Sequence, residues 1–191
     1  ASDMVLKIHS NASYLSEAKA RSRAGGYFYL GDQPSNQPER GNGAILNKSK
    51  IMRNVMSSAA EAECGAVFEN TTDAVPLRTT LEEMGHPQPP TPIQVDNSTA
   101  YGFANKQIKQ QKSKSMDMRF YWIQDRVAQK QFQIYWRPGP TNLADYFTKH
   151  HAPSHHRRER ATYLHCINHL SLVLRGCVNP GTGLNPGLRL I

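Results

Sequence analysis

Met4-Val5-Leu6-Lys7-Ile8-His9-Ser10, Tyr27-Phe28-Tyr29-Leu30 and Ala44-Ile45-Leu46 follow one another near the start of the chain. The first segment alternates: Val5 and Lys7 fall on the opposite face from Leu6 and Ile8, which is the period of a strand. The second, led in by Arg21-Ser22-Arg23-Ala24-Gly25-Gly26, is aromatic and suits a pleated, half-buried surface. The third is a short apolar run. Gly31 to Gly43 contains Pro34, Pro38 and several polar residues, and reads as a loop. Three strands in succession predict an antiparallel meander.

Beyond the meander the period changes. Ser57 or Ser58 can cap a helix, with Glu61 three residues after Ser58 in a capping-box pattern. The helical pattern continues through Ala62, Ala66, Val67, Leu77, Leu81 and Met84 to Gly85, with a bend expected near Pro76. His86 to Pro92 is proline-rich and therefore extended. Pro92-Ile93-Gln94-Val95-Asp96 is a fourth strand that ends on an acid, and a short helix follows over Ser98 to Asn105. Lys106 to Lys114 carries Lys106, Lys109, Lys112 and Lys114 and no acid. Met116 to Lys130 has a helical pattern, with Met118, Trp122 and Val127 among its apolar positions. Phe132-Gln133-Ile134-Tyr135-Trp136 is a fifth strand, stopped by Pro138-Gly139-Pro140. Thr141 or Asn142 then caps a final helix containing Asp145. The expected class is α/β: a mixed five-stranded sheet, three antiparallel strands first and then alternating helix and strand, flanked by helices. Residues 1–150 form this domain. Residues 151–191 read as a basic, histidine-containing extension, partly disordered, with one helix at Leu164 to Leu174 and a Gly-, Pro- and Asn-rich stretch from Asn179 to Gly187.

The chain of 191 residues carries a net charge of +8. Lys and Arg outnumber Asp and Glu by 18 to 14 in residues 1–150 and by 5 to 1 in residues 151–191. That balance favours a polyanion as partner, through counterion release. No apolar run is long enough to span a bilayer, so no membrane partner is expected. The start, Ala1-Ser2-Asp3-Met4-Val5, lacks the basic-then-apolar build of a secretory signal. Cys64, Cys166 and Cys177 are odd in number and widely spaced, which argues for a reducing intracellular setting rather than a disulfide framework.

Four segments carry chemistry: Ile8-His9-Ser10-Asn11-Ala12-Ser13-Tyr14, Ser57-Ser58-Ala59-Ala60-Glu61-Ala62-Glu63, Ile93-Gln94-Val95-Asp96-Asn97-Ser98 and Asn142-Leu143-Ala144-Asp145-Tyr146-Phe147-Thr148-Lys149. In order and spacing, together with Met116-Asp117-Met118-Arg119-Phe120, they resemble the ribonuclease H domain at the C-terminal end of copia-type retrotransposon polyproteins. The resemblance covers roughly residues 4–150. It implies a chain cut from within a longer polyprotein, in keeping with a strand that begins almost at once, with reverse transcriptase and integrase portions as neighbours. The implied reaction is hydrolysis of the RNA strand of an RNA–DNA hybrid during reverse transcription. The implied setting is cytoplasmic, in a retroelement particle, or nuclear.

Carried over residue by residue, Glu63, Asp96 and Asp145 match three of the family's four metal-binding acids. Asn11 stands where the family has Asp. Glu61 competes with Glu63, which is preferred because it matches the second acid of the Glu-Ala-Glu run. The histidine that family members often carry upstream of the last acid has no counterpart around Tyr135-Trp136-Arg137. Acids suit the task because two Mg²⁺ ions (or Mn²⁺) about 3.5–4 Å apart can serve both ends of an in-line displacement at phosphorus, and Mg²⁺ prefers carboxylate oxygens. Asn11 is neutral and carries two amide donors, so weakened metal binding and slow turnover are expected.

Lys106, Lys109, Lys112 and Lys114 are candidates for phosphate contacts, which give affinity without sequence preference. Ser58, Asn97 and Ser98 are candidate polar contacts beside the acids. Trp122 and Trp136 are read as core residues, although either could stack on bases. Cys64 is read as a small buried hydrophobe. The histidines of the tail, with Cys166 and Cys177, match no strong zinc spacing. Two other functions stay open: a non-catalytic hybrid-binding module on the same fold, and a basic scaffold whose acids only cap helices.

Overall fold

The computed structural model describes residues 3–32, 43–106 and 114–164. Contacts divide the chain into two units, Ala1–His150 and His151–Ile191. The first unit is built outward from one strand. β1 (Val5–Glu17) pairs antiparallel with β2 (Arg21–Gly31), and β2 with β3 (Ala44–Ile51). On its other side β1 pairs parallel with β4 (Thr91–Val95), and β4 with β5 (Phe132–Trp136), giving the order β3-β2-β1-β4-β5. The expected mixed sheet, with its first and fourth strands as central neighbours, is present.

β1 is longer than its apolar alternation suggested. Asn11 does not follow the strand but lies inside it, paired with Gly25. The polar continuation is held by pairing instead of by burial: Ala12 opposes Ala24, Ser13 opposes Arg23, and Glu17 accepts from Arg23 at 2.7 Å. β3 likewise runs past Leu46 to Ile51. It is an edge strand, and two of its lysines reach back to the first helix, Lys48 to Asp73 and Lys50 to Glu69, each at 2.7 Å.

The two faces of the sheet are covered differently. On one, Leu6, Ile8, Phe28, Ile93, Val95, Phe132 and Ile134 pack against Val67, Ala74 and Leu81 of α1 (Ala59–Glu83), Ala104 of α2 (Ser98–Ala104) and Ile123 of α3 (Lys114–Ala128). α1 runs unbroken through Pro76. Its N-terminus is capped by Ser58, whose hydroxyl accepts from the Glu61 N–H at 3.1 Å. The Glu61 carboxylate reaches Ser57, accepting from its N–H and hydroxyl, one residue earlier than in the usual reciprocal box. Near the other end of α1 the buried Arg78 donates to the carbonyls of Gln88 and Pro89 and to the Thr91 hydroxyl, which ties down the proline-rich connector. Trp122 packs on this core as expected, edge-on to Phe68 at 5.4 Å between ring centres.

The opposite face is covered by the segment after β5. It holds two single 3-10 turns, Gly139–Thr141 and Asp145–Thr148, where an α-helix carrying Asp145 was expected. The Leu143 N–H is taken by the His9 ring and the Ala144 N–H by the Asn142 side chain, so neither joins a helical ladder. Phe147 stacks on Tyr27 with ring centres 6.3 Å apart.

Gly25 and Gly26 set how closely both layers approach. Successive residues of a strand point to opposite faces. A Cβ at Gly26 would lie 2.4 Å from Oδ1 of Asn70 on α1, while one at Gly25 would lie 2.5 Å from Thr148 and 2.7 Å from the Ala144 carbonyl. Asn70 uses the space to donate to both the Ser10 hydroxyl and the Gly25 carbonyl, each at 2.9 Å.

In the second unit, order does not fade at Ala152: α4 spans Pro153–Tyr163, starts on its proline and buries none of its residues. The expected helix over Leu164–Leu174 and the expected disorder of Asn179–Gly187 lie outside the described residues, apart from Leu164 itself.

Gly26→Ala should cost about 1–3 kcal/mol of stability, the range for overpacking, seen as a lower melting temperature. Combining it with Asn70→Ala should cost less than the sum of the single changes, because the clash partner is gone. Additive losses in a thermal-melt cycle would show that the Gly26–Asn70 contact is not the constraint.

Candidate active site

The chemistry-bearing residues gather where β1 and β4 lie side by side. Ile8 pairs with Ile93 and His9 with Gln94. Continued along both strands, that register sets Asn11 level with Asp96, the residue after β4. Glu63 comes from α1 and Asp145 from the last 3-10 turn, so four elements contribute.

Each acid is held differently. Glu63 is buried, with Oε1 accepting from the Ala12 N–H at 2.9 Å and Oε2 left with no hydrogen-bond partner. Burial, then repulsion from Asp96, raises its carboxyl to about 8; the Ala12 N–H pulls the other way and Asp145 adds further repulsion. Glu61, its sequence rival, is only partly buried and is engaged at the helix cap. Burial likewise raises Asp96, with repulsion from Asp145 adding to it and its own backbone N–H and Lys149 opposing. Gly139 lies over Asp96, since a Cβ there would stand 3.1 Å from Oδ2.

Asp145 already has partners. Asn11 donates from Nδ2 to its Oδ1 at 2.9 Å and to the Thr148 hydroxyl oxygen at 3.2 Å, while Lys149 reaches the carboxylate at 2.6 Å. The orientation of the Asn11 amide follows from chemistry. A carboxylate only accepts, and the Thr148 hydroxyl donates to the Asp145 carbonyl at 2.8 Å. Only the NH₂ group can face both.

Sequence reading missed the residues that carry Asp145 to this place. Asn142, quoted only as a capping candidate, is buried and donates to the Ser10 carbonyl at 2.8 Å while accepting from the Ala144 N–H at 3.0 Å. His9 accepts the Leu143 N–H on Nδ1 at 3.0 Å. Gln94 donates to the Thr141 hydroxyl at 2.8 Å. The polar side chains of His9 and Gln94 on β1 and β4 were the available signal, because a buried polar group must find a partner.

The proposed nucleic-acid contacts are only partly placed. Ser58 and Asn97 spend their side-chain oxygens on the caps of α1 and α2, and Ser98 opens α2. Lys106 is exposed after α2; Lys109 and Lys112 lie outside the described residues, and Lys114 begins α3. A basic cluster that sequence reading missed lies on another flank of α1. There, a cavity of about 500 Å³ is edged by Lys50, Arg53, Asn54, Glu69 and Arg119, over Met52 and Gly65. Its cations come from three separate elements, so no charge run announced it. Trp136 corrects its reading as a core residue: it is 47% exposed, and its indole N–H donates to the Asp96 carbonyl at 3.0 Å. Strand β5 lies at the edge of the sheet and ends there. Cys64 is buried and free, its thiol pushed up by burial, as a small hydrophobe would be.

Among the described residues, no three Asp, Glu, His or Cys side chains close into a metal cage. The donor set explains why. Asn11 presents its amide hydrogens to Asp145 and Thr148, Lys149 holds the same Asp145 carboxylate, and Glu63 carries a raised affinity for a proton. The orphaned Glu63 Oε2 and the partly buried Asp96 could serve one cation. They fall short of what a pair requires.

No family profile matches the chain. Over 148 residues, 78% of the chain, it is 26% identical to the retrovirus-related Pol polyprotein from transposon TNT 1-94 of Nicotiana tabacum, of which it spans 10%. Among solved structures it is similar to LC11 ribonuclease H1 from a compost metagenome (TM-score 0.54, 14% identity, 75% of this chain and 92% of that one). The same enzyme in complex with an RNA/DNA hybrid aligns equally well (TM-score 0.54, 12% identity, 74% and 92%). The N-terminal ribonuclease H domain of a Mycobacterium tuberculosis protein aligns at a TM-score of 0.51 (14% identity, 75% and 91%). No helix among the described residues is long and apolar enough to cross a membrane. The chain therefore has a ribonuclease H-like fold and is similar in sequence to a retrotransposon Pol polyprotein.

Proposed function

We propose that the chain binds RNA–DNA hybrids and derives from a domain that hydrolyses their RNA strand, with hydrolysis impaired by Asn11. The observation that carries this reading is the hydrogen bond from Asn11 to Asp145 at the strand end where Glu63 and Asp96 also arrive. In a copia-type polyprotein, the reverse transcriptase and integrase portions would be its covalent neighbours. The lysines after α2 and the Lys50, Arg53 and Arg119 cluster would supply nonspecific phosphate contacts.

In a two-metal phosphodiesterase, Mg²⁺ or Mn²⁺ activates the attacking water and stabilises the leaving oxygen. This chain's own residues work against that arrangement. Asn11 and Lys149 neutralise Asp145 from within, and burial keeps Glu63 largely protonated at neutral pH. The second reading, a binding module without catalysis, is favoured by the same internal pairing, because Asp145 is met by Asn11 and Lys149 without a cation.

Cleavage of a labelled hybrid in Mg²⁺ and in Mn²⁺ tests the reading. Asn11→Asp should raise the rate by about two orders of magnitude or more, and Asp96→Asn in that background should abolish it. Equal rates for the chain and Asn11→Asp would sink the role given to Asn11. Hybrid binding without cleavage by either would leave the binding module standing.

Asn11→Asp also makes a stability prediction. It sets a carboxylate against Asp145 in place of a donor, so the variant should melt lower than the parent in chelator. Saturating Mg²⁺ or Mn²⁺ should then raise its melting point more than the parent's, by up to about 2.7 kcal/mol at a hundredfold excess over Kd. Identical melting of the two proteins in chelator would contradict this.

The raised Glu63 carboxyl sets a pH dependence in the absence of metal. The folded state holds a proton more tightly than the unfolded chain, so this contribution to stability is complete below the ordinary value of 4.5 and is lost as pH rises through about 8. Glu63→Gln keeps the acceptor for Ala12 and removes the titration. Between pH 6 and pH 9 the parent's melting temperature should fall more steeply than the variant's. Parallel profiles would show that Glu63 titrates normally.

A further inference from the structure

Trp136 stands apart from the other exposed apolar side chains. Met118 and Tyr121 protrude from the middle of α3, and Val55 from a loop, with no bond fixing them to the candidate site. Trp136 is 47% exposed yet held, its indole N–H on the carbonyl of Asp96 at 3.0 Å. It pairs in the sheet with Val95, the residue before Asp96. The chain after it, Pro138-Gly139-Pro140, turns back over Asp96 at Gly139. A planar apolar face is therefore fixed within one residue of a candidate active-site acid, at the end of the sheet where Asn11 and Asp145 meet. Burial of this ring would have stabilised the fold, and the packing forgoes about half of it. Arg137, the next residue, lies over Tyr135 at 5.5 Å.

We propose that Trp136 is a stacking platform for a nucleoside ring of the strand whose phosphate lies at the acids. This rests on the hybrid-binding reading above and deepens it by naming a contact that is neither phosphate nor acid. Aromatic stacking suits a partner without fixed sequence, because every nucleoside presents a flat face. The hydrogen bond to Asp96 also makes Trp136 a positioning residue, since ring and acid are placed by one another.

The two roles separate by substitution. Trp136→Phe keeps a flat ring and loses the N–H; Trp136→Leu loses both. Affinity of the full chain for a fluorescein-labelled RNA–DNA hybrid is measured by anisotropy in chelator, as a function of salt. Trp136→Leu should bind about 5- to 100-fold more weakly, and Trp136→Phe should retain most of the affinity. The slope of log affinity against log salt should be the same in all three, because no phosphate contact is lost. Acrylamide quenching of the parent's tryptophan emission should fall when the hybrid is added, a readout that needs no variant to fold. Unchanged affinity in Trp136→Leu, or unchanged quenching, overturns the platform while leaving hybrid binding intact. A changed salt slope overturns it as well, because the substitution would then be acting through phosphate contacts. Absence of salt-dependent hybrid binding by the parent overturns both readings together.

Discussion

Pairing on both sides of β1 is the constraint on which the arrangement rests. β2 fixes the strand antiparallel on one side and β4 fixes it parallel on the other. Everything at the site is then referenced to one stretch of backbone. Ala12 offers its N–H to Glu63, Ser10 its carbonyl to Asn142, and His9 its ring nitrogen to the Leu143 N–H. A helix, a strand end and an irregular segment far apart in sequence are thereby brought to adjoining residues. Central strands carry such references well because their own hydrogen bonds leave little freedom to drift.

Electrostatics at this point follow from who supplies positive charge. Acids brought together in a half-buried place repel one another, and each must be protonated, paired or offered a cation. All of the first two solutions are visible here. Glu63 retains a proton through burial, and Asp145 is met by the Lys149 ammonium and the Asn11 amide. Asp96 is the least compensated, opposed only by its own N–H and by Lys149 at a distance. The Asn11 amide thus meets Asp145 with a donor, where a carboxylate at the same place would add a further negative charge.

Much of the fold was legible because burial and period coincide. β5 could be read to the residue, and the Ser58 cap of α1 from three positions of sequence. Legibility failed where polar residues sit inside regular structure. β1 was cut short at Ser10 because pairing, not apolarity, carries it on to Glu17. The turn at Asp145 reads as a helix because the bonds that tie its segment to His9 and Ser10 span more than a hundred residues, which no local pattern encodes. Trp136 was assigned inward because alternation along β5 continues to its end, whereas the helices that cover that strand do not. Gly25 and Gly26 looked like a lead-in to a strand; their use as the two contact points of a central strand depends on partners on opposite faces. At the site, the identities of the acids came from family resemblance, while the bond that ties Asn11 to Asp145 required three dimensions.

The edge of the sheet has its own consequence. β3 is eight residues long with one side unpaired, and Ile45 and Ile51 are exposed on it. A strand of that kind invites a second copy to add on. Lys48 and Lys50 reach across from β3 to Asp73 and Glu69 of α1, clasping the strand to its own helix. An incoming strand would have to settle beside these ion pairs. When many copies of such a chain are crowded together, a charged edge held to its own helix favours discrete domains over a continuous ribbon of sheets.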